Sequence, residues 1–351
     1  MSDSSPAASF DPGECRVALP VASGRDAASA PAPFTAPSTA PAIAGPRRLR
    51  VCHETRYDYD TPVEVAHHLA YLCPRETDWQ RISNWQLDIA PEPDGGPNGV
   101  HAGVDAFGNP RHSFSHARVH DRLRVVAQFA ADISPLPPLH AMASPPWEHV
   151  TESLRYRAGQ LIPDAAEFVL GSRFASRDKA LAAFGADLFE PARPLLDSAL
   201  ALMHRVHDRI EFRAHATDVA TSAIEVLARR RGVCQDLSHL MIAVMRSLGL
   251  AARYVSGYLL TMPPPGQARL IGADASHAWV SVWCPRQGWV ALDPTNDCAV
   301  GQDHVTLAWG RDYADVAPLR GVIRGGGNAP PVVGVTVEPV DIDLIDETAD
   351  A

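Results

Sequence analysis

The chain has no apolar run approaching the ~18 residues that a membrane-spanning helix needs, so no helical membrane span is expected. It also lacks a basic start followed by an apolar core. Residues 1–46 are instead Ala, Pro, Ser and Gly with scattered charges, the composition of a disordered extension and not of a signal peptide. There is no CxxC, no HExxH and no close Cys pair with a later His pair, so neither a structural nor a hydrolytic zinc site is expected, and no metal or other cofactor is indicated. Gly325-Gly326-Gly327 lacks the following Lys and Ser or Thr of a phosphate loop and reads as a connector. Positive charge is in deficit: 31 Lys and Arg stand against 41 Asp and Glu, for a formal net charge of −10. That balance argues against nucleic acid or an anionic membrane as partner, since both reward clustered cations. The six cysteines, at 15, 52, 73, 234, 284 and 298, have no regular spacing. Free thiols are therefore expected instead of a disulfide framework, and with no export signal they point to the cytoplasm.

The 351 residues, 46% hydrophobic and 21% charged, describe a globular chain long enough for about two domains. Over residues 47–134, short runs with period two, each bounded by Pro, Gly, Asn or Asp, predict an antiparallel β-sandwich domain. His112, His116 and His120 fall in this strand-like stretch, after a Gly-Asn-Pro turn, and read as surface histidines. Pro135, Pro137, Pro138, Pro145 and Pro146 mark a linker over 135–146. From Trp147 the period lengthens to about 3.6. Leu195, Leu196, Ala199, Leu200, Met203, Val206 and Ile210 form one apolar stripe there. Residues 147–340 then read as an α+β unit whose antiparallel sheet includes a strand near Val332 to Val340, with an acidic tail over 341–351.

Chemistry concentrates in that second unit. Cys234 follows Gly232-Val233 and opens a helical pattern of Leu237, Leu240, Met241, Val244, Met245 and Leu248, stopped at Gly249. A thiol at a helix N-terminus meets unpaired N–H groups and the positive end of the helix dipole, and both favour the thiolate. A base is then sought downstream. His277 starts one alternating run and Asp293 ends the next, with a turn from Pro285 to Gly288 between them. A turn centred near Arg286 places His277 opposite Thr295 and makes Asp293 its diagonal neighbour on the same face, within side-chain reach at ~7–8 Å between backbones. Nucleophile, base and orienting carboxylate are thus available as Cys234, His277 and Asp293.

The segments IEFRAHATDVATSAIEVLARRRGVCQDLSHL, ARYVSGYL, SHAWVSVW, GWVALDPTND and GRDYADVAPLRGV resemble the bacterial members of the transglutaminase-like superfamily, and the strand-rich region before them resembles its bacterial N-terminal β region. The resemblance implies a papain-like transglutaminase core, a nucleophile helix packed on an antiparallel sheet, with Cys234 as nucleophile, His277 as general base and acid, and Asp293 orienting it. It implies acyl transfer through a thioester, either hydrolysis of a peptide or isopeptide bond in a peptide or protein substrate, or transfer to an amine, with a peptide-ligase-type protein as one possible partner. Calcium activation is not implied, because the chain ends soon after the core.

Plainer readings compete at each residue. A lone cysteine at a helix start is more often a small buried hydrophobe, and a core that keeps the fold without turnover would be a binding module. Asp236 and His239 read as an i,i+3 pair that orders the helix. Tyr254, Tyr258, Trp279, Trp283 and Trp289 read as core at least as readily as a substrate cleft.

Overall fold

The computed structural model describes residues 45–159, 161–214, 216–217, 220–261 and 276–340; most of the expected N-terminal extension and the whole acidic tail lie outside it. Among the described residues the chain opens with β1 (Arg47–Ala70), β2 (Gln80–Ala90), β3 (His101–Val104), β4 (Pro110–His116) and β5 (His120–Ile133). After the proline-rich stretch come α1 (Trp147–Ser153), α2 (Lys179–Gly185), α3 (Leu195–Arg209), β6 (Glu211–Phe212), α4 (Ala223–Arg229), β7 (Arg231–Gly232) and α5 (Cys234–Ser247). The remainder is β8 (Ala252–Leu259), β9 (Ser276–Cys284), β10 (Gly288–Asp293), β11 (Cys298–Ala299), β12 (His304–Gly310), α6 (Tyr313–Val316), β13 (Leu319–Gly325) and β14 (Val332–Pro339).

The N-terminal unit is one curled antiparallel sheet in the order β2-β5-β1-β4-β3, with β13 and β14 added on β1. The length of β1 makes this possible. Its first half pairs with β5 and β14, and its second half with β4 and β13. The strand at Val332–Pro339 therefore does not join the core sheet as its position in the sequence suggested; Leu49 faces Pro339 and Arg56 faces Val332. Alternation reports which face of a strand is apolar, not which edge it joins, and residues 319–339 complete the N-terminal unit.

A second correction concerns the histidines. His112, Phe114 and His116 alternate inward on β4, so His112 and His116 are buried instead of lying on the surface. His112 stacks on Trp85, and His116 donates Nε2–H to Pro91 O at 2.8 Å. A third concerns the thiols. Cys73, Cys234, Cys284 and Cys298 are free, but Cys52 is disulfide-bonded, which removes the thiol-based argument for the cytoplasm.

The second unit has a five-stranded antiparallel sheet in the order β11-β10-β9-β8-β12. Against β8 and β9 lies α5, every residue of which from Asp236 to Arg246 is buried. A helix covered on all sides needs apolar residues all round, and α2, α3 and α4 supply the rest of its cover. The expected stripe of α3 is realised, with Leu195, Leu196, Ala199, Met203 and Val206 buried against this core.

Leu49, Val51 and Phe129 of the N-terminal sheet pack with Tyr258, Val305 and Leu307 of the core sheet in one apolar cluster. Gln80 adds a polar clasp, donating Nε2–H to Thr306 O at 2.7 Å and accepting the Thr306 N–H at 2.8 Å. No described helix is long and apolar enough to cross a membrane.

Candidate active site

Cys234 is the first residue of α5, so no carbonyl four residues back within the helix receives its N–H. Two local features hold it there. The extended Val233 (φ −101, ψ 177) turns the chain into the helix, and the Asp236 carboxylate accepts the Val233 N–H at 2.8 Å and the Thr217 hydroxyl. Gly232 leaves room for that carboxylate: a Cβ there would lie 2.6 Å from Asp236 Cβ. At the other end of the helix, Arg246 donates to Phe168 O, Ala252 O, Ser172 Oγ and Arg311 O at 2.7–3.1 Å, which fixes α5 against its surroundings.

Asp236 and His239 do not form the pair their spacing suggests. Asp236 turns back to cap its own helix, while His239 accepts the Tyr313 N–H at 3.1 Å and lies between the rings of Phe174 and Tyr254. Burial pushes the His239 imidazole down to about 3 despite the nearby Asp312, which leaves it a neutral acceptor inside the core.

The hairpin takes the register that the turn implies, with Gly288 opposite Cys284 and Leu292 opposite Val280. Continued by one residue, it makes His277 and Asp293 diagonal neighbours, and His277 Nε2 donates to Asp293 Oδ2 at 2.7 Å. Cys234 lies near enough to the ring to help raise the His277 pKa. Since Nε2 is engaged by the carboxylate, Nδ1 is the ring nitrogen left for the thiol. Thus the fold brings His277 and Asp293 into one hydrogen bond, with Cys234 beside the same imidazole.

The pair is deeply buried, His277 at 8% exposure and Asp293 at 0%. Burial alone would push the imidazole down, but the Asp293 carboxylate and Cys234 outweigh it and raise its pKa to about 10. Burial would likewise raise the Asp293 carboxyl; the positive charge and hydrogen bond of His277, with the bond from His304, instead hold it well below the usual carboxylate range. An imidazole held by a carboxylate on one side, with a thiol near it on the other, has the components of a nucleophile, base and orienting group.

Three supporting residues are not legible in the triad pattern. Asp293 ends β10 at a tight connection to β11, and its Oδ1 accepts the N–H groups of Thr295 (2.9 Å) and Asn296 (3.2 Å), while Asn296 Nδ2 donates to Oδ2 at 2.7 Å. An Asx turn in DPTND is the signal that would have found the first two. His304, at the start of β12, donates Nε2–H to the same Oδ2 at 3.3 Å, and nothing in its local sequence announces this. The atoms offered by His277, Asp293 and His304 lie within 4.8 Å of one another, a spacing a cation would accept. The carboxylate oxygen is hydrogen-bonded to both rings in this structure. Of the aromatic residues, Tyr254, Tyr258 and Trp279 are buried core, while Trp283 and Trp289 are only partly covered.

Comparisons with known proteins agree with this architecture. Residues 182–294 match the model of the transglutaminase-like superfamily, and residues 49–132 match that of the bacterial transglutaminase-like N-terminal region. An uncharacterized protein of Mycobacterium tuberculosis is 38% identical over 311 residues, covering 86% of this chain and 96% of its own length. A shorter match, 39% over 95 residues, covers 26% of this chain and 14% of a protein-glutamine gamma-glutamyltransferase of Pseudomonas aeruginosa. Among solved structures, a candidate cysteine protease from Cytophaga hutchinsonii shares the fold with a TM-score of 0.65 at 20% identity, over 84% of this chain and 91% of that one. The chain belongs to the transglutaminase-like superfamily, with a papain-like cysteine protease fold.

Proposed function

We propose that the protein is a cysteine-dependent acyl-transfer enzyme that hydrolyses a peptide or isopeptide bond in a peptide or protein substrate. The observation that carries this reading is the 2.7 Å bond between His277 and Asp293, with Cys234 at the helix mouth acting on the same imidazole. The thiolate Sγ attacks the amide carbonyl carbon, and the carbonyl electron pair moves to oxygen, where the Cys234 N–H at the helix mouth is one donor placed to receive the charge. Collapse of that oxyanion breaks the C–N bond as the His277 imidazolium gives its proton to the departing amine. The neutral imidazole then takes a proton from water, and the hydroxide attacks the thioester carbon. Thiolate, imidazolium and a carboxylic acid product result. Asp293, itself held by four other donors, keeps the His277 ring oriented through both steps.

A second reading replaces water by a primary amine, giving transamidation and an amide product, with an amine-bearing protein or a peptide-ligase-type protein as partner. The match to the P. aeruginosa gamma-glutamyltransferase supports it, because it falls in a transglutaminase by name. The test for both is turnover of peptide amides by wild type and Cys234→Ala, with and without added primary amine. Amine-independent release that vanishes in Cys234→Ala supports the hydrolase; product formed only with amine selects transamidation. No acyl transfer in either condition, from a panel of Gln-, Lys- and isopeptide-containing substrates, with Cys234 no more reactive than the other free thiols, leaves a binding module.

A further inference from the structure

Asp293 Oδ2 carries more than the bond to His277. On the far side of it stands His304, whose exposure is 4%. The Gly301 N–H donates to His304 Nδ1 at 3.3 Å, so Nδ1 holds a lone pair and the ring proton sits on Nε2, pointing at the carboxylate 3.3 Å away. The backbone thereby selects the tautomer of a neutral imidazole, as outer hydrogen bonds do for functional histidines in general.

The sheet explains how a residue on β12 reaches a carboxylate on β10. Between them, β8 presents Gly257, which faces His277 on one neighbouring strand and Thr306 on the other. With no side chain there, the Trp279 ring lies over the glycine: a Cβ would come 2.4 Å from its Cη2. That ring meets His304 edge-on at 5.3 Å between centroids, and both side chains are buried.

We infer that His304 is a positioning residue which, through its Nε2–H bond to Asp293 Oδ2, keeps the buried carboxylate ionised and aligned for His277, extending the triad to a relay of four. This rests on the proposed function and deepens it. A carboxylate at 0% exposure is driven towards its neutral form by burial, so each donor removed makes protonation easier. The titratable groups around Asp293 are His277, with Cys234 beyond it, His304, and Cys298, which is itself flanked by Asp297 and Asp303.

The experiment is the pH profile of Cys234 alkylation by iodoacetamide, read by peptide mass spectrometry with Cys73, Cys284 and Cys298 as internal references, in wild type, His304→Leu and His304→Gln. His304→Leu fills the space without a donor, and its acid limb is expected to move up by about one pH unit, while His304→Gln, which keeps an N–H donor, returns it to within about 0.3 unit of wild type. A limb that stays put in His304→Leu, or that moves equally in both variants, overturns the inference. Wild-type Cys234 that labels no faster than the reference thiols overturns the proposed function itself, which separates the two failures. If His304→Leu does not fold, the wild type still decides: 15N NMR of labelled imidazoles must show His304 as the neutral Nε2–H tautomer at pH 7, and an Nδ1–H tautomer refutes the assignment.

Discussion

Trp279 lies across Gly257 with no space for a Cβ between them: an added methyl at Gly257 would sit 2.4 Å from the indole and 2.2 Å from Val305 O. The same indole packs against His277 and His304, at 6.0 and 5.3 Å between centroids. The absent side chain on β8 is thus what allows an aromatic roof over the site.

Gly257→Ala is accordingly expected to destabilise the fold by about 1–3 kcal/mol, the usual range for overpacking a filled interior. Denaturant unfolding measures it. Because the ring has to shift from its two histidine neighbours, Cys234 alkylation in the same variant should slow; unchanged unfolding free energy would show that the sheet yields without cost.

Under the proposed acyl transfer, the losses on replacing Cys234, His277 and Asp293 are expected to be unequal. Cys234→Ala and His277→Ala remove the nucleophile and its proton acceptor and should each lower turnover by about 10⁶, whereas Asp293→Ala, which leaves both in place, should lower it by about 10⁴. Turnover of the best peptide substrate gives the comparison, with circular dichroism confirming the fold. Equal losses at all three positions would mean that Asp293 does more than orient His277.

Stability should depend on pH through the same pair. His277 has a folded pKa of about 10 against 6.5 when unperturbed, so its contribution is complete below about pH 6.5 and disappears as pH rises through 10. Asp293 is lowered, so its contribution is complete above about pH 3.8 and is lost as pH falls through its depressed folded value. Tm should therefore peak between about pH 4 and 6.5 and decline on the alkaline side. In His277→Ala the alkaline decline between pH 6.5 and 10 should flatten; a slope identical to wild type would assign it to other groups.

Arg246 carries a structural load apart from the chemistry. It is fully buried and donates to carbonyls from three separate segments as well as to Ser172 Oγ, although burial lowers its pKa to about 10. Arg246→Met leaves those acceptors unpaired and should cost about 3–5 kcal/mol. Chemical denaturation tests it, and a cost under about 1 kcal/mol would mean that water replaces the guanidinium.

Helix α5 and the β9–β10 hairpin were legible because each is a local pattern. Helical spacing from Leu237 to Leu248 and alternation on either side of Pro285–Gly288 set element type, and the hairpin's turn sets its register, which is enough to bring Asp293 beside His277. The Asp236–His239 pairing failed because a capping role and a stacked core position each offered better partners than the other residue.

By itself the sequence determined the α+β class, the apolar stripes and the hairpin register that sets Asp293 beside His277, since periodicity and turn chemistry act over a few neighbouring residues. Only the tertiary structure decided that β13 and β14 return to β1, that His112 and His116 turn inward, and that His304 shares the Asp293 oxygen across Gly257. Those facts depend on which edges and faces meet after the chain has travelled tens or hundreds of residues, and edge pairing through backbone hydrogen bonds leaves little trace in the side chains that a sequence displays.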